Sequence, residues 1–170
     1  ISFDGGAKFK SLGFLLKGDR NINERDYENS VTNYLVDKKF VLLFKKYKNL
    51  LKVYKINFQS ESSLQNGFDL ITTFDGGRNA SLRVLSSKKT LYLKFLSFYR
   101  SKDDGRTWTE LRRGLPKGDL NGEIYLWRNI PLYFEKALGK LYYLSKKRRR
   151  WVSFKVSSVD AFHGGPNGLF

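Results

Sequence analysis

The stretch Ser101–Trp108 constrains the fold of this chain more than any other. It places Ser, Asp, Gly, Thr and Trp at positions 101, 103, 105, 107 and 108. An Asp side chain accepts hydrogen bonds from backbone N–H groups two residues on, and Gly supplies a positive φ, so the spacing predicts a tight turn. Residues 91–100 and 108–111 are rich in apolar and aromatic side chains and predict the flanking strands. We therefore expect an antiparallel hairpin, with the Trp108 ring buried at the start of the return strand.

The same pattern recurs elsewhere in the sequence. A second copy opens the chain, with Ser, Asp, Gly and an aromatic residue at the same offsets and Lys in place of Thr: Ser2, Asp4, Gly6 and Phe9. Residues 73–80 match more weakly, because Ala80 stands where the aromatic residue is expected, and a plain Asp-Gly turn is the alternative there. Residues 140–156 keep Ser145 and Trp151 around a cationic run but lack the Asp and the Gly.

This motif resembles the Asp-box, or bacterial neuraminidase repeat, of sialidases and sortilin-type proteins. In that family it forms the turn between the two outer strands of a β-propeller blade. The resemblance implies structural roles for Ser101, Asp103, Gly105, Thr107 and Trp108 and for the matching residues of the first copy. It names no reaction, because Asp-box residues lie away from the sialidase active site, and the Phe-Arg-Ile-Pro motif that begins a sialidase domain is absent from this sequence.

Two interpretations compete over residues 38–58. The apolar residues share a helical face that would make a basic amphipathic helix, whereas strands at 39–44 and 50–58 would make a hairpin. We favour the hairpin, because residues 140–156 show the same order of apolar strand, cationic turn and aromatic-led strand. Elsewhere the composition predicts a loop or one short helix near 24–35, a strand at 123–128, a short helix as one option at 132–138, and an irregular Gly- and Pro-rich tail.

The residues that would lead the return strands are spaced like repeats. They are Phe9, Leu51, Trp108 and Trp151, at separations of 42, 57 and 43 residues. A four-stranded propeller blade takes about 40–50 residues, and a closed propeller has roughly four to eight blades. We therefore predict a single, mostly β domain over 1–170 with antiparallel hairpins and Asp-box turns, in three or four blade-like repeats of a partial or small β-propeller. An α+β basic domain is the alternative.

The charge pattern carries the main functional expectation. The formal charge is +16, from 32 Lys and Arg against 16 Asp and Glu, and three windows, 38–60, 76–102 and 136–159, contain no acid. Such windows cannot neutralise themselves locally and predict an anionic partner. RNA in a ribonucleoprotein such as a ribosome fits best, beside other subunits of that assembly, and acidic glycans or an anionic membrane surface are the alternatives. The predicted polyanion-binding residues, placed at hairpin tips or beside them, are Lys45, Lys46, Lys48, Lys88, Lys89, Arg112, Arg113, Lys146, Lys147, Arg148, Arg149, Arg150 and Trp151.

The residues that support catalysis or metal binding are sparse. The sequence has no Cys, and its one histidine, His163, has no nucleophile motif beside it. We expect no catalytic residues, no metal site, no cofactor and no membrane span, since no apolar run approaches about 20 residues. A chain that opens on Ile and contains no Met is expected to be processed or partial. An organellar or cytoplasmic ribonucleoprotein is the favoured location and secretion the alternative.

Overall fold

The described part of the chain is mostly β-strand. A computed structural model of the protein describes residues 31–36, 39–47, 49–57, 69–76, 81–118, 120–156, 164–165 and 168–169. The mostly β prediction is confirmed by its antiparallel sheets. The chain divides into a first compact unit, residues 1–47 and 51–74, and a second unit, residues 48–50 and 75–170. The single domain over 1–170 stays a prediction.

The first unit is built on a four-stranded sheet in chain order. Its strands are β1 (Val31–Val36), β2 (Phe40–Tyr47), β3 (Leu50–Asn57) and β4 (Asp69–Asp75). The hairpin predicted over 38–58 is therefore confirmed as β2 and β3. The helix predicted near 24–35 is wrong for residues 31–35, which lie in β1 and pair antiparallel with β2. Residues 24–30 lie outside the described part.

Strands β2 and β3 are buried on both faces, which explains why the sequence left their type open. All five residues from Phe40 to Phe44 are at most 4% exposed. A strand covered on both faces has a continuous apolar run, and periodicity alone cannot separate such a run from a buried helix. Even Lys55 in β3 is 4% exposed, with its Nζ atom 4.2 Å from the centroid of the Phe40 ring, a cation–π contact.

The second unit holds two further four-stranded sheets, each in chain order. The second sheet contains β5 (Arg83–Ser87), β6 (Thr90–Lys94), β7 (Phe98–Ser101) and β8 (Thr109–Glu110). The third contains β9 (Glu123–Trp127), β10 (Ile130–Glu135), β11 (Lys140–Ser145) and β12 (Arg150–Lys155), with a 3-10 helix at Lys136–Leu138. A small hairpin pairs β13 (Gly164–Gly165) with β14 (Gly168–Leu169).

Several sequence predictions need correction here. The expected strand at 91–100 is two strands separated by the bend at 95–97. The short helix considered at 132–138 is instead strand to residue 135 and 3-10 helix only at 136–138. The strand forms because Tyr133 packs on one face of the sheet and Leu132 and Phe134 pack on the other. The tail predicted to be irregular contributes β13 and β14. The strand at 123–128 is confirmed as β9.

The spacing that predicted repeats compared residues that lie at different positions in their sheets. Trp108 and Trp151 lead into the fourth strands, β8 and β12, whereas Leu51 lies at the start of a third strand, β3. Phe9 lies outside the described residues. The first strands of the three sheets begin at residues 31, 83 and 123, 52 and 40 residues apart. The described chain thus contains three consecutive four-stranded antiparallel meanders.

The core of the second unit lies between its two large sheets. The Phe98 ring centroid is 4.7 Å from that of Trp151 and 5.3 Å from that of Tyr133, the latter pair edge to face. Such ring pairs add to the stabilisation from apolar burial. The buried residues of this cluster are Phe98, Leu120, Ile124, Tyr133, Tyr142 and Trp151.

The loop that follows β8 is bonded to the last strand of the third sheet. The backbone N–H of Trp151 donates to the Arg113 carbonyl at 2.9 Å, and its indole Nε1–H donates to the Leu111 carbonyl at 2.6 Å. Gly114 has φ of +95°, and a Cβ placed there would lie 2.2 Å from the Trp151 carbonyl oxygen. Only glycine allows this close approach of loop to strand.

A buried polar network also joins the two sheets. The Lys94 ammonium, 1% exposed, donates to the Gly122 carbonyl at 2.6 Å and to Ser81 Oγ at 2.5 Å. The Gly122 N–H donates to Tyr133 Oη at 3.0 Å, and the Tyr133 hydroxyl donates to Glu135. Burial, followed by the hydrogen bond to Glu135, raises the pKa of Tyr133. Burial lowers the pKa of Lys94, and the charges of Glu123 and Glu135 oppose that shift.

Candidate functional site

The turn between β7 and β8 is held by its own side chains. Ser101 Oγ donates to Asp103 Oδ1 at 2.7 Å and accepts the Gly105 N–H at 2.9 Å. Asp103 also accepts the backbone N–H of Thr107 at 2.9 Å and its hydroxyl at 2.6 Å. Asp104 and Gly105 have φ of 57° and 84°. The predicted structural roles of Ser101, Asp103, Gly105 and Thr107 therefore correspond to specific hydrogen bonds within the turn.

The charge of Asp103 belongs to this hydrogen-bond network. Desolvation, the largest single influence, would raise the pKa of the carboxyl, but the hydrogen bonds from Thr107 and Ser101 together lower it to about 2. Hydrogen bonds donated to a carboxylate favour its ionised form. Trp108 closes the turn by donating its indole N–H to the Gly105 carbonyl at 2.9 Å, and its ring is half-buried rather than fully buried as predicted.

The turn between β11 and β12 occupies the same place in the third sheet but has different chemistry. The backbone N–H of Arg148 donates to Ser145 Oγ at 3.2 Å, so Ser145 keeps one of the contacts that Ser101 makes. The five consecutive cations Lys146 to Arg150 are all exposed. Trp151, in contrast, is 2% exposed and lies in the core. Its predicted role in polyanion binding is therefore wrong, because its ring is enclosed in the core.

Four hairpin turns of the second unit, the first and third of each large sheet, gather at one end. In a meander, the first and third connections lie at the same end of the sheet, because successive strands run antiparallel. A hydrogen bond of 2.7 Å from Ser87 Oγ to Asn129 Oδ1 joins the first turns of the two sheets. We call this the cationic end. Its exposed cations are Lys88, Lys89, Lys102, Arg106, Arg128, Lys146, Lys147, Arg148 and Arg149. Only two carboxylates, Asp103 and Asp104, lie in these described turns.

A cleft opens between the two sheets at the cationic end. Its volume is about 400 Å³. Four cations line it, Arg100, Lys102, Lys146 and Arg149, and no described residue of its lining is acidic. The remaining lining is mixed and comprises Tyr92, Leu111, Asn129, Ile130, Pro131, Leu144 and Ser145. Burial raises the pKa of Tyr92, and the positive charge of Arg100 opposes that shift.

The other predicted binding residues lie in several different local settings. Lys45 is 6% exposed within β2, so its predicted position at a turn tip is wrong. Lys46 is half-buried on the same strand, and burial lowers its pKa. Arg112 is half-buried and donates to the carbonyls of Leu96 at 3.3 Å, Pro116 at 3.0 Å and Gly118, which makes it a loop-organising residue. Arg113 is exposed. Lys48 and the first motif copy, with Ser2, Asp4, Gly6 and Phe9, lie outside the described residues.

Some residues of the cationic end were not among the predicted site residues. They are Arg100, Lys102, Arg106, Arg128 and Asn129. Arg128 and Asn129 both have positive φ, 46° and 64°, as the central residues of a two-residue type I′ hairpin require. The signal that could have found them was the turn itself, since the predicted strand 123–128 precedes an Asn and a new apolar run.

Compared with protein-family models, with characterised proteins and with solved structures, the chain matches none. Among the described residues, no helix has the length and apolar character needed to cross a bilayer. The same residues contain no group of three or more His, Cys, Asp and Glu side chains arranged to hold a metal ion.

Proposed function

We propose that this protein is a non-enzymatic polyanion-binding component of a ribonucleoprotein and that the cationic end of its second unit contacts RNA. One observation carries the proposal. Four hairpin turns from two sheets that share a core present nine exposed cations on one end, with two carboxylates among them. One of those carboxylates, Asp103, is already hydrogen-bonded within its own turn.

The physical basis is the release of counterions from phosphates. A protein that neutralises phosphates with Lys and Arg gains affinity from that release, and the gain falls as salt rises. The turns hold the cations on a packed scaffold, so little further ordering of the backbone is required on binding. Phosphate contacts position a protein without specifying a sequence, and we therefore expect weak sequence preference from these tips.

A salt titration of RNA binding tests this proposal. Filter binding of a single-stranded RNA at increasing salt should give a steep log–log slope. The variant Lys146→Ala, Lys147→Ala, Arg148→Ala, Arg149→Ala should reduce that slope by roughly 3, since each lost phosphate contact to a single strand contributes about 0.7. The matched control is Lys117→Ala, Lys136→Ala, Lys140→Ala, Lys155→Ala. It removes the same charge from exposed sites outside the cationic end.

The control decides whether position or total charge matters. If both quadruple variants lower the slope equally, binding follows the overall charge of the protein and the assignment to the cationic end fails. If the wild-type protein does not bind RNA even at low salt, the proposed function itself fails.

The β7–β8 turn supports a second proposal, that the chain is an Asp-box β-propeller module that binds an acidic glycan or a protein partner. The motif lies between the third and fourth strands of a four-stranded meander, and three such meanders follow one another. This is the arrangement that the resemblance implies. Retention of an acidic glycan on an array, without retention of RNA, would favour this function over RNA binding. Turnover of a fluorogenic sialoside would instead indicate a fragment of a sialidase-like glycoside hydrolase.

A further inference from the structure

We propose that the cleft at the cationic end binds one unpaired nucleotide of a single-stranded RNA, with its phosphate held by Arg100, Lys102, Lys146 and Arg149. This inference rests on the proposed function and adds a site and a selectivity to it. Exposed turn tips alone bind any polyanion of suitable charge spacing. A cleft between the sheets distinguishes a strand whose bases are free from one whose bases are paired.

The size of the cleft restricts what can enter. About 400 Å³ lies within the range of roughly 300–1,000 Å³ that is typical of small-molecule sites. Such a volume accepts a group of one or two rings and excludes a double helix. Sequence-selective proteins commonly contact RNA in single-stranded regions, where bases are unstacked and can be turned into a pocket.

The lining supplies both kinds of contact that a nucleotide requires. The cations come from the second sheet and its third turn and from the β11–β12 turn, so a phosphate between them is approached from both sheets. Leu111, Ile130 and Leu144 supply apolar area for the face of a base. This combination of cations and an apolar floor differs from the turn tips, where the exposed side chains are mainly cationic.

Asn129 adds a directional group beside this floor. Its Oδ1 atom accepts the hydrogen bond from Ser87 Oγ at 2.7 Å. This contact orients the amide, and its Nδ2 donor suits a carbonyl or ring nitrogen on a base edge. The Ser87 contact fixes the amide before any ligand binds, which reduces the ordering cost of recognition.

Matched substitutions inside and outside the cleft test the inference. Arg100→Gln and Lys102→Gln remove one cation each from the cleft, and Arg148→Gln and Lys147→Gln remove the same groups from the neighbouring tip, outside it. The probes are a twenty-nucleotide single-stranded RNA of mixed sequence and its duplex with the complementary strand, titrated at one salt concentration. Lys102 is an exposed turn residue, so its variant remains informative if Arg100→Gln does not fold.

We expect the wild-type protein to prefer the single strand by at least about tenfold. The two cleft variants should bring that ratio close to one, chiefly by weakening single-strand binding. The two tip variants should weaken binding of both probes by a similar factor and leave the ratio unchanged. A further probe, an abasic ribose-phosphate oligomer of the same length, should bind wild type no better than the duplex.

The failures of the two proposals are distinguishable. If wild type binds both probes equally and the tip variants weaken both, the cationic end binds RNA but the cleft does not hold a nucleotide. If the cleft variants behave as their tip controls do, the inference is likewise overturned. If wild type binds neither probe, the proposed function fails, and the nucleotide site with it.

Discussion

The β7–β8 and β11–β12 turns occupy the same position in neighbouring sheets and divide structural and electrostatic roles between them. In the first, Ser101 is 1% exposed and the acidic side chain of Asp103 accepts three hydrogen bonds within the turn. In the second, Ser145 is half-buried, the turn contains four cations, and Ser145 Oγ accepts a hydrogen bond from the Arg148 N–H. The first turn is stable without a ligand, whereas the second presents its charge to solvent.

The two tryptophans that follow these turns also differ: the one after the well-bonded turn makes a local hydrogen bond, and the one after the cationic turn makes a long-range hydrogen bond. Trp108 is half-buried and donates a hydrogen bond to Gly105, three residues away and within its own turn. Trp151 is buried and bonds to Leu111, 40 residues away. A turn with one local side-chain hydrogen bond, where the first turn has several, is thus followed by a long-range anchor. We infer that the anchor is what allows the cationic turn to dispense with the Asp and Gly of the motif.

The largest loss of stability should come from replacing the two tryptophans with alanine, and it should be larger for Trp151 than for Trp108. Trp151→Ala should destabilise the second unit by about 3–5 kcal/mol, because it leaves a large cavity in the core. Trp108→Ala should cost about 1–2 kcal/mol, since its ring is half-exposed. Urea unfolding followed by tyrosine and tryptophan fluorescence measures both. Equal losses would show that the local and long-range tryptophans do not differ in role.

The serines should show the next largest difference. Ser101→Ala leaves the buried Gly105 N–H without its acceptor and should cost about 1–3 kcal/mol. Ser145→Ala removes an acceptor from the exposed N–H of Arg148, which water can replace, and should cost less than about 1 kcal/mol. Thermal unfolding of the two variants compares them directly. A larger loss for Ser145→Ala would contradict the comparison.

Asp103→Asn should have a smaller effect that depends on pH. The folded pKa of Asp103 is about 2, below its ordinary value of 3.8, so ionisation stabilises the folded protein above pH 3.8. That stabilisation is lost as pH falls from about 4 to 2. The melting temperature of wild type should therefore exceed that of Asp103→Asn at neutral pH and converge with it near pH 2. Because the carboxylate is partly exposed, the difference should be smaller than for Ser101→Ala.

The smallest change in stability should follow the loss of charge from the second turn. Lys147→Gln with Arg148→Gln should change the free energy of unfolding by no more than about 0.5 kcal/mol. At low salt the change should be stabilising, because the substitutions remove repulsion between like charges. RNA affinity should fall in the same variant. A clear loss of stability would show that these cations also support the turn.

The individual hairpins of this chain could be predicted from local chemistry. Which hairpins occupy the same position in their sheets could not be predicted. Ser, Asp and Gly at 101, 103 and 105 specify a turn through bonds between near neighbours, and those bonds are present in the structure. Whether Leu51 starts a third or a fourth strand depends on which strands pair, which no local spacing encodes. The helix at 24–35 failed over its described part because pairing with β2 decided the conformation of β1.

The candidate site was predictable only where charge and turn coincide. Lys88, Lys89 and the cations at 146–150 were found because their turns are short and rich in Lys and Arg. Lys45 and Trp151 were misplaced, because burial depends on what packs over a strand. The cleft had no sequence signal, since its lining combines positions from 92 to 149 through the packing of two sheets.

The contact between the 111–118 loop and β12 can form only late in synthesis of the chain. Leu111 and Arg113 emerge from a ribosome about 40 residues before Trp151, their hydrogen-bond partner. Until Trp151 follows, the second sheet keeps Phe98 without the indole that covers it. We expect nascent chains in which residue 151 is still inside the ribosomal exit tunnel to be protease-sensitive over 111–118. Chains held on the ribosome by a C-terminal extension long enough to expose β12 should be protected. Limited proteolysis of stalled complexes would measure the step.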